Sequence, residues 1–151
     1  MLTASLLAAS LFAALTPAGS AAQAPRAMSA GSVSVKDEGH LHLVRSSGSV
    51  LYDEGPAHGT LPGTVKLRFL YDGNPNVSAQ ITIYGHSGSI QARGSGLLSS
   101  PSSASPSFKG TLTISGGSGR YARAHGSGTL YGVFYRRSYA ITVQTEGTLH
   151  Y

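Results

Sequence analysis

His40 and His42 stand two residues apart in His40-Leu41-His42-Leu43. On a strand both imidazoles fall on one face, the spacing by which a sheet presents two ligands to a metal. No third ligand can be assigned to that pair, and the simpler reading is a polar outer face opposite Leu41 and Leu43. No metal is therefore expected. His58, His86, His125 and His150 fall in turns or near an end.

Glu146 shares a strand face with Thr142, Gln144 and Thr148, where Arg68 or Arg93 from other strands would reach it. Buried, with its pKa raised, it would suit acid–base catalysis, with Tyr131 as a second polar group. Exposed, the same residues form an ordinary Thr/Gln/Arg surface. The serines cluster in loops, and no Gly-x-Ser-x-Gly elbow stands in a strand-to-helix setting, so a hydrolase is poorly supported. Catalytic residues stay unassigned.

The elements that must position these groups read as strands. The chain of 151 residues is only 11% charged, with 20 glycines and no cysteine, which favours a turn-rich β domain without disulfides or thiolate chemistry. Val65, Leu67, Phe69 and Tyr71 alternate with Lys66 and Arg68, predicting a strand with one buried face. The turn Asp72-Gly73-Asn74-Pro75-Asn76 then leads into Val77, Ala79, Ile81 and Ile83, alternating with Ser78, Gln80, Thr82 and Tyr84.

Further strands are predicted at His40 to Arg45, from Val50 to the Gly55-Pro56 break, at Ile90 to Leu98 and around Phe108 to Ile114. A final hairpin spans about Ser127 to Leu149, turning near Arg136-Arg137. Ser99 to Ser107 is a Ser/Pro-rich loop with no pattern, expected to be mobile. About eight meandering strands with many glycines suit a single antiparallel up-and-down barrel, because closure removes exposed edges. A sandwich is the alternative.

The most specific segment is Gly116-Gly117-Ser118-Gly119-Arg120-Tyr121-Ala122-Arg123-Ala124-His125-Gly126. It resembles the signature before the last hairpin of the allene oxide cyclase and dirigent-like barrels and of related bacterial barrels of unknown function. The resemblance covers roughly the C-terminal third. It implies an eight-stranded calycin-like barrel with a central cavity, no cofactor and a possible trimer. It also implies an isomerase or cyclase as one reading. Asp37, Glu38, Asp53, Glu54, Asp72 and Glu146 offer no match to the acidic residues important in the plant members. Physically, the glycines permit a sharp exit turn and Tyr121 can plug the barrel end.

Leu2 to Leu15 is apolar and Ala/Leu-rich, followed by small residues, and predicts a signal peptide over 1–22 with cleavage as late as residue 30. A flexible segment over 23–37 and a barrel over 38–151 follow from that division. The run is short for a membrane span, so a secreted or envelope-exterior product is expected. The formal charge of +5 comes from scattered residues, with no dense basic tract, so nucleic acid is not an expected partner.

Phe69, Tyr71, Ile83, Tyr121, Phe134 and Tyr139 are enough to line or cap an apolar cavity. The leading expectation is non-catalytic binding of a small apolar or aromatic molecule. A cyclase or isomerase, and a structural cell-surface protein, are the alternatives.

Overall fold

A computed structural model describes residues 31–71 and 74–151. The predicted signal peptide, its cleavage site and the Asp72-Gly73 half of the predicted turn lie outside the described residues. Eight strands follow one another: β1 (Ser32–Ser47), β2 (Val50–Gly59), β3 (Gly63–Leu70), β4 (Asn76–Gly85), β5 (Gly88–Ser99), β6 (Ser107–Gly117), β7 (His125–Tyr135) and β8 (Ala140–His150). Each pairs antiparallel with the next, and β8 returns to β1 to close the barrel. One short 3-10 turn, Gly119–Tyr121, joins β6 to β7.

Alternation decides which way each strand faces. Val65, Leu67 and Phe69 are buried while Lys66 and Arg68 are exposed, as expected for a sheet curled around one interior. Leu41, Ile81, Ile90, Ala92, Leu98, Phe108, Ile114, Leu130, Phe134, Ile141, Val143 and Leu149 complete the core. The outer wall carries Ser, Thr, Gln, Arg and Lys.

Three local expectations give way. β1 begins at Ser32, pairing Val33 with Leu149 and Val35 with Gly147. The stretch expected to be flexible is therefore strand from Ser32 onward, because Val35 is buried against the core. β2 runs through Gly55-Pro56 to Gly59, with Pro56 in register with Thr64 of β3. The Ser99 to Ser107 loop is held in place by Arg136, whose Nε donates to the Ser103 carbonyl at 3.0 Å and whose Nη2 donates to that of Pro101 at 2.5 Å.

The barrel has two rims. One holds the start of β1 and the 3-10 turn, and is the Tyr121 rim. There Gly119 adopts φ +59°, which favours glycine. Backbone bonds from Ser118 to Ser89 and from Arg120 to Ser87, both 2.9 Å, fasten this turn to the β4–β5 connection. The other, the Tyr139 rim, holds the β7–β8 turn and the Ser99–Ser107 loop.

Candidate functional site

The barrel interior carries a run of aromatic rings. Phe69 lies 5.6 Å from Phe108 and 6.4 Å from Phe134, and Phe134 meets Tyr139 edge-on at 6.1 Å. These separations fall in the favourable range for ring pairs. Exposure rises from 2% at Phe69 through 5% at Phe134 to 50% at Tyr139, so the stack leads from the core to the rim. Tyr71 is half-buried at the same rim, its hydroxyl accepting from Arg136 Nη2 at 3.4 Å.

Ile83 and Tyr121 belong to the opposite rim. Tyr121 packs edge-on against Tyr151 at 5.3 Å, and Arg120 covers Tyr151, donating to its hydroxyl at 2.7 Å. The six residues predicted to line one cavity are therefore split between the two ends.

Between those ends the interior is filled. A void of about 10 Å³ lies among Leu67, Phe69, Phe108 and Leu130. A second, about 40 Å³, lies among Asp37, Leu41, Val65, Ile81 and Val143. Drug-sized ligands usually occupy about 300–1,000 Å³. Eight strands make a barrel just wide enough for side chains to fill, and here the phenylalanines and leucines fill it.

Two carboxyl groups share this interior. Asp53 on β2 is 2% exposed, between Leu43 of β1 and Leu67 of β3 in register. Neither of its oxygens has a hydrogen-bond partner. Burial pushes its pKa up to about 6, opposed by the nearby His42 imidazole. Asp37 on β1 accepts the Leu61 N–H at 2.8 Å through Oδ1, while Oδ2 is unpartnered. Burial raises its pKa too, against the lowering effect of the Leu61 and Thr60 backbone N–H groups.

A buried acid without partners is rare in a folded protein and marks a place where chemistry or binding can be concentrated. Near pH 6 Asp53 can hold or release a proton within an apolar enclosure. Sequence reasoning passed over both residues. The signal was parity: Asp37 shares its strand face with Val35 and Leu41, and Asp53 with Leu51 and Ala57.

The groups that the sequence did single out lie on the outer wall. Glu146 is exposed, in register with Thr129 and Lys36, and Tyr131 is 46% exposed. Neither faces the interior. His40 and His42 are both exposed, and His40 Nε2 stands 2.7 Å from Glu38. No group of three metal-ligating side chains occurs among the described residues, and no helix among them is long and apolar enough to cross a membrane.

Fold and site together define an all-β protein, a closed eight-stranded antiparallel barrel with a packed aromatic interior and two buried acids. No family model, no curated protein and no solved structure matches the chain.

Proposed function

We propose that this protein is a non-catalytic binding barrel that takes a small apolar or aromatic molecule at its Tyr139 rim. The observation that carries this reading is the ring sequence Phe69, Phe134, Tyr139, which grades from core to solvent. A planar ligand can extend that stack by lying against the Tyr139 ring, and needs no preformed chamber. Tyr71 and the Arg136-held loop form the flank of the same rim.

Export and kinship with the allene oxide cyclase and dirigent-like barrels belong to the same proposal. Export is supported by the apolar run Leu2 to Leu15. Kinship is supported by the Gly116 to Gly126 segment, which leads into the last hairpin of an eight-stranded barrel. The trimer that the resemblance implies is read in the same experiment as the ligand.

That experiment is native mass spectrometry of the mature protein, followed by titration with the uncharged fluorophore N-phenyl-1-naphthylamine. Saturable binding, weakened at least tenfold by Tyr139→Gly, is expected. Equal binding by both proteins would remove the rim from consideration.

Asp53 favours a second reading, an isomerase or cyclase in which this acid gives or takes a proton beside a folded substrate. The two readings separate on Asp53→Asn. A binding barrel keeps its ligand unchanged, whereas an enzyme converts the ligand and loses conversion in the variant.

A further inference from the structure

The outer wall holds a second feature, independent of the rim. Strand register sets Arg45 opposite Tyr52, Tyr52 opposite Arg68, Arg68 opposite Gln80, and Gln80 opposite Arg93. Directly opposed residues share a face, and all three arginines are exposed. Three guanidiniums therefore stand in one row across five strands, alternating with a phenol and a carboxamide. With strands about 4.8 Å apart, the backbones of successive arginines are about 10 Å apart along the row.

Acids do not balance this row. The ion pairs among the described residues join His40 to Glu38 and Lys66 to Glu54, and leave Arg45, Arg68 and Arg93 without a carboxylate. The Arg45 guanidinium lies 4.2 Å over the Tyr52 ring, and the Arg68 and Arg45 cations both lower the pKa of its hydroxyl. Tyr52 thus gathers two cations side by side without neutralising them. Around them Thr82, Gln91 and Thr113 offer neutral hydrogen-bonding groups, and Tyr84 presents a ring that is 50% exposed.

We propose that this face of β1–β5 docks an acidic polysaccharide, with one carboxylate or sulfate against the Arg45 and Arg68 cations gathered at Tyr52, the next against Arg93, and a sugar ring lying along Gln80 between them. Guanidinium forks match planar oxyanions. The neutral residues between them match the hydroxyls of the intervening sugars. A polymer with one charge per disaccharide presents its anions at a comparable interval. A phosphodiester chain charged at every unit would set an uncompensated anion against Gln80.

The test is calorimetric titration of the full mature protein with a hyaluronan oligosaccharide at low salt. Binding is expected, weakening as salt is raised. R45Q/R68Q is expected to lose at least tenfold in affinity. R123Q/R137Q, which removes the same charge from exposed positions at the two rims, should lose less than twofold. Arg93→Gln alone, which touches no Tyr52 contact, should lose at least threefold and serves if the double variant misfolds. Absence of binding, equal losses in the two double variants, or displacement of hyaluronan by duplex DNA or polyphosphate at lower concentration would overturn the proposal.

Discussion

Phe108 on β6 stands directly opposite Gly132 on β7, and its ring occupies the space that a side chain at position 132 would need. The ring is 2% exposed and lies tilted against Phe69 at 5.6 Å, so it is packed on both sides. Glycine on one strand is what admits phenylalanine on the other, and the filled interior follows from that exchange.

Gly132→Ala is expected to destabilise the barrel by about 1–3 kcal/mol, the usual cost of overfilling a packed core. Urea unfolding measures it. Phe108→Leu withdraws the ring, so the double variant should be less destabilised than the sum of the two single changes. Strict additivity would mean that the ring and the glycine do not confront each other.

Asp53 should make stability fall as pH rises. Its folded pKa is about 6, against about 3.9 for an unfolded aspartate, so the folded chain holds the proton more tightly. Below about pH 4 both states are protonated and Asp53 contributes no slope. Between the two values stability declines. Above the folded pKa both states are ionised and the whole cost, about 3 kcal/mol, is present. Denaturation from pH 4 to pH 7 should show a steeper decline in the native protein than in Asp53→Asn, where Asp37 alone of the two buried acids keeps a raised pKa. Parallel profiles would mean that Asp53 ionises as freely folded as unfolded.

The fold was legible where alternation was clean. Val65, Leu67 and Phe69 against Lys66 and Arg68 identify their faces without ambiguity, and β4 and the last hairpin repeat the pattern. The start of β1 was not legible, because Val33-Ser34-Val35-Lys36 is brief and leads into Asp37 and Glu38. Two adjacent acids carry no inward signal of their own, yet Asp37 follows the parity of Val35 inward. Asp53 was obscured similarly, since Gly55 and Pro56 imitate a turn just beyond it. The split of the aromatic set between two rims was invisible because strand parity gives a face, whereas position along the barrel depends on register. The row Arg45, Tyr52, Arg68, Gln80, Arg93 has the same origin: it exists only through register.

Arg136 is expected to act as the clasp of the Ser99–Ser107 loop. Its side chain bonds the carbonyls of Ser103 and Pro101, and its guanidinium lies 5.8 Å above the Tyr71 ring. Backbone bonds from Arg136 to Ala104 and from Phe134 to Pro106 hold the same loop from below. Arg136→Ala should speed amide exchange in this loop at least tenfold while changing global stability by about 1–3 kcal/mol at most. Arg136→Lys should fail to restore protection, because one ammonium cannot reproduce the guanidinium fork. Unchanged exchange would leave the backbone bonds as sufficient anchors.

Tyr139 sits at φ +54°, a conformation that costs a non-glycine residue about 1–2 kcal/mol. Against this, its edge-on contact with Phe134 returns about 0.5–1.5 kcal/mol. Glycine at 139 removes both contributions and adds about 0.5–1 kcal/mol of unfolded-chain entropy to overcome. These effects nearly cancel, so Tyr139→Gly should unfold within about 1 kcal/mol of the native protein. Its affinity for N-phenyl-1-naphthylamine should nevertheless fall at least tenfold. The proposed ligand stack at the rim would give this strained side chain a role other than stability. A large loss of stability in Tyr139→Gly would instead make the ring part of the core, and the rim would then have no exposed aromatic to offer a ligand.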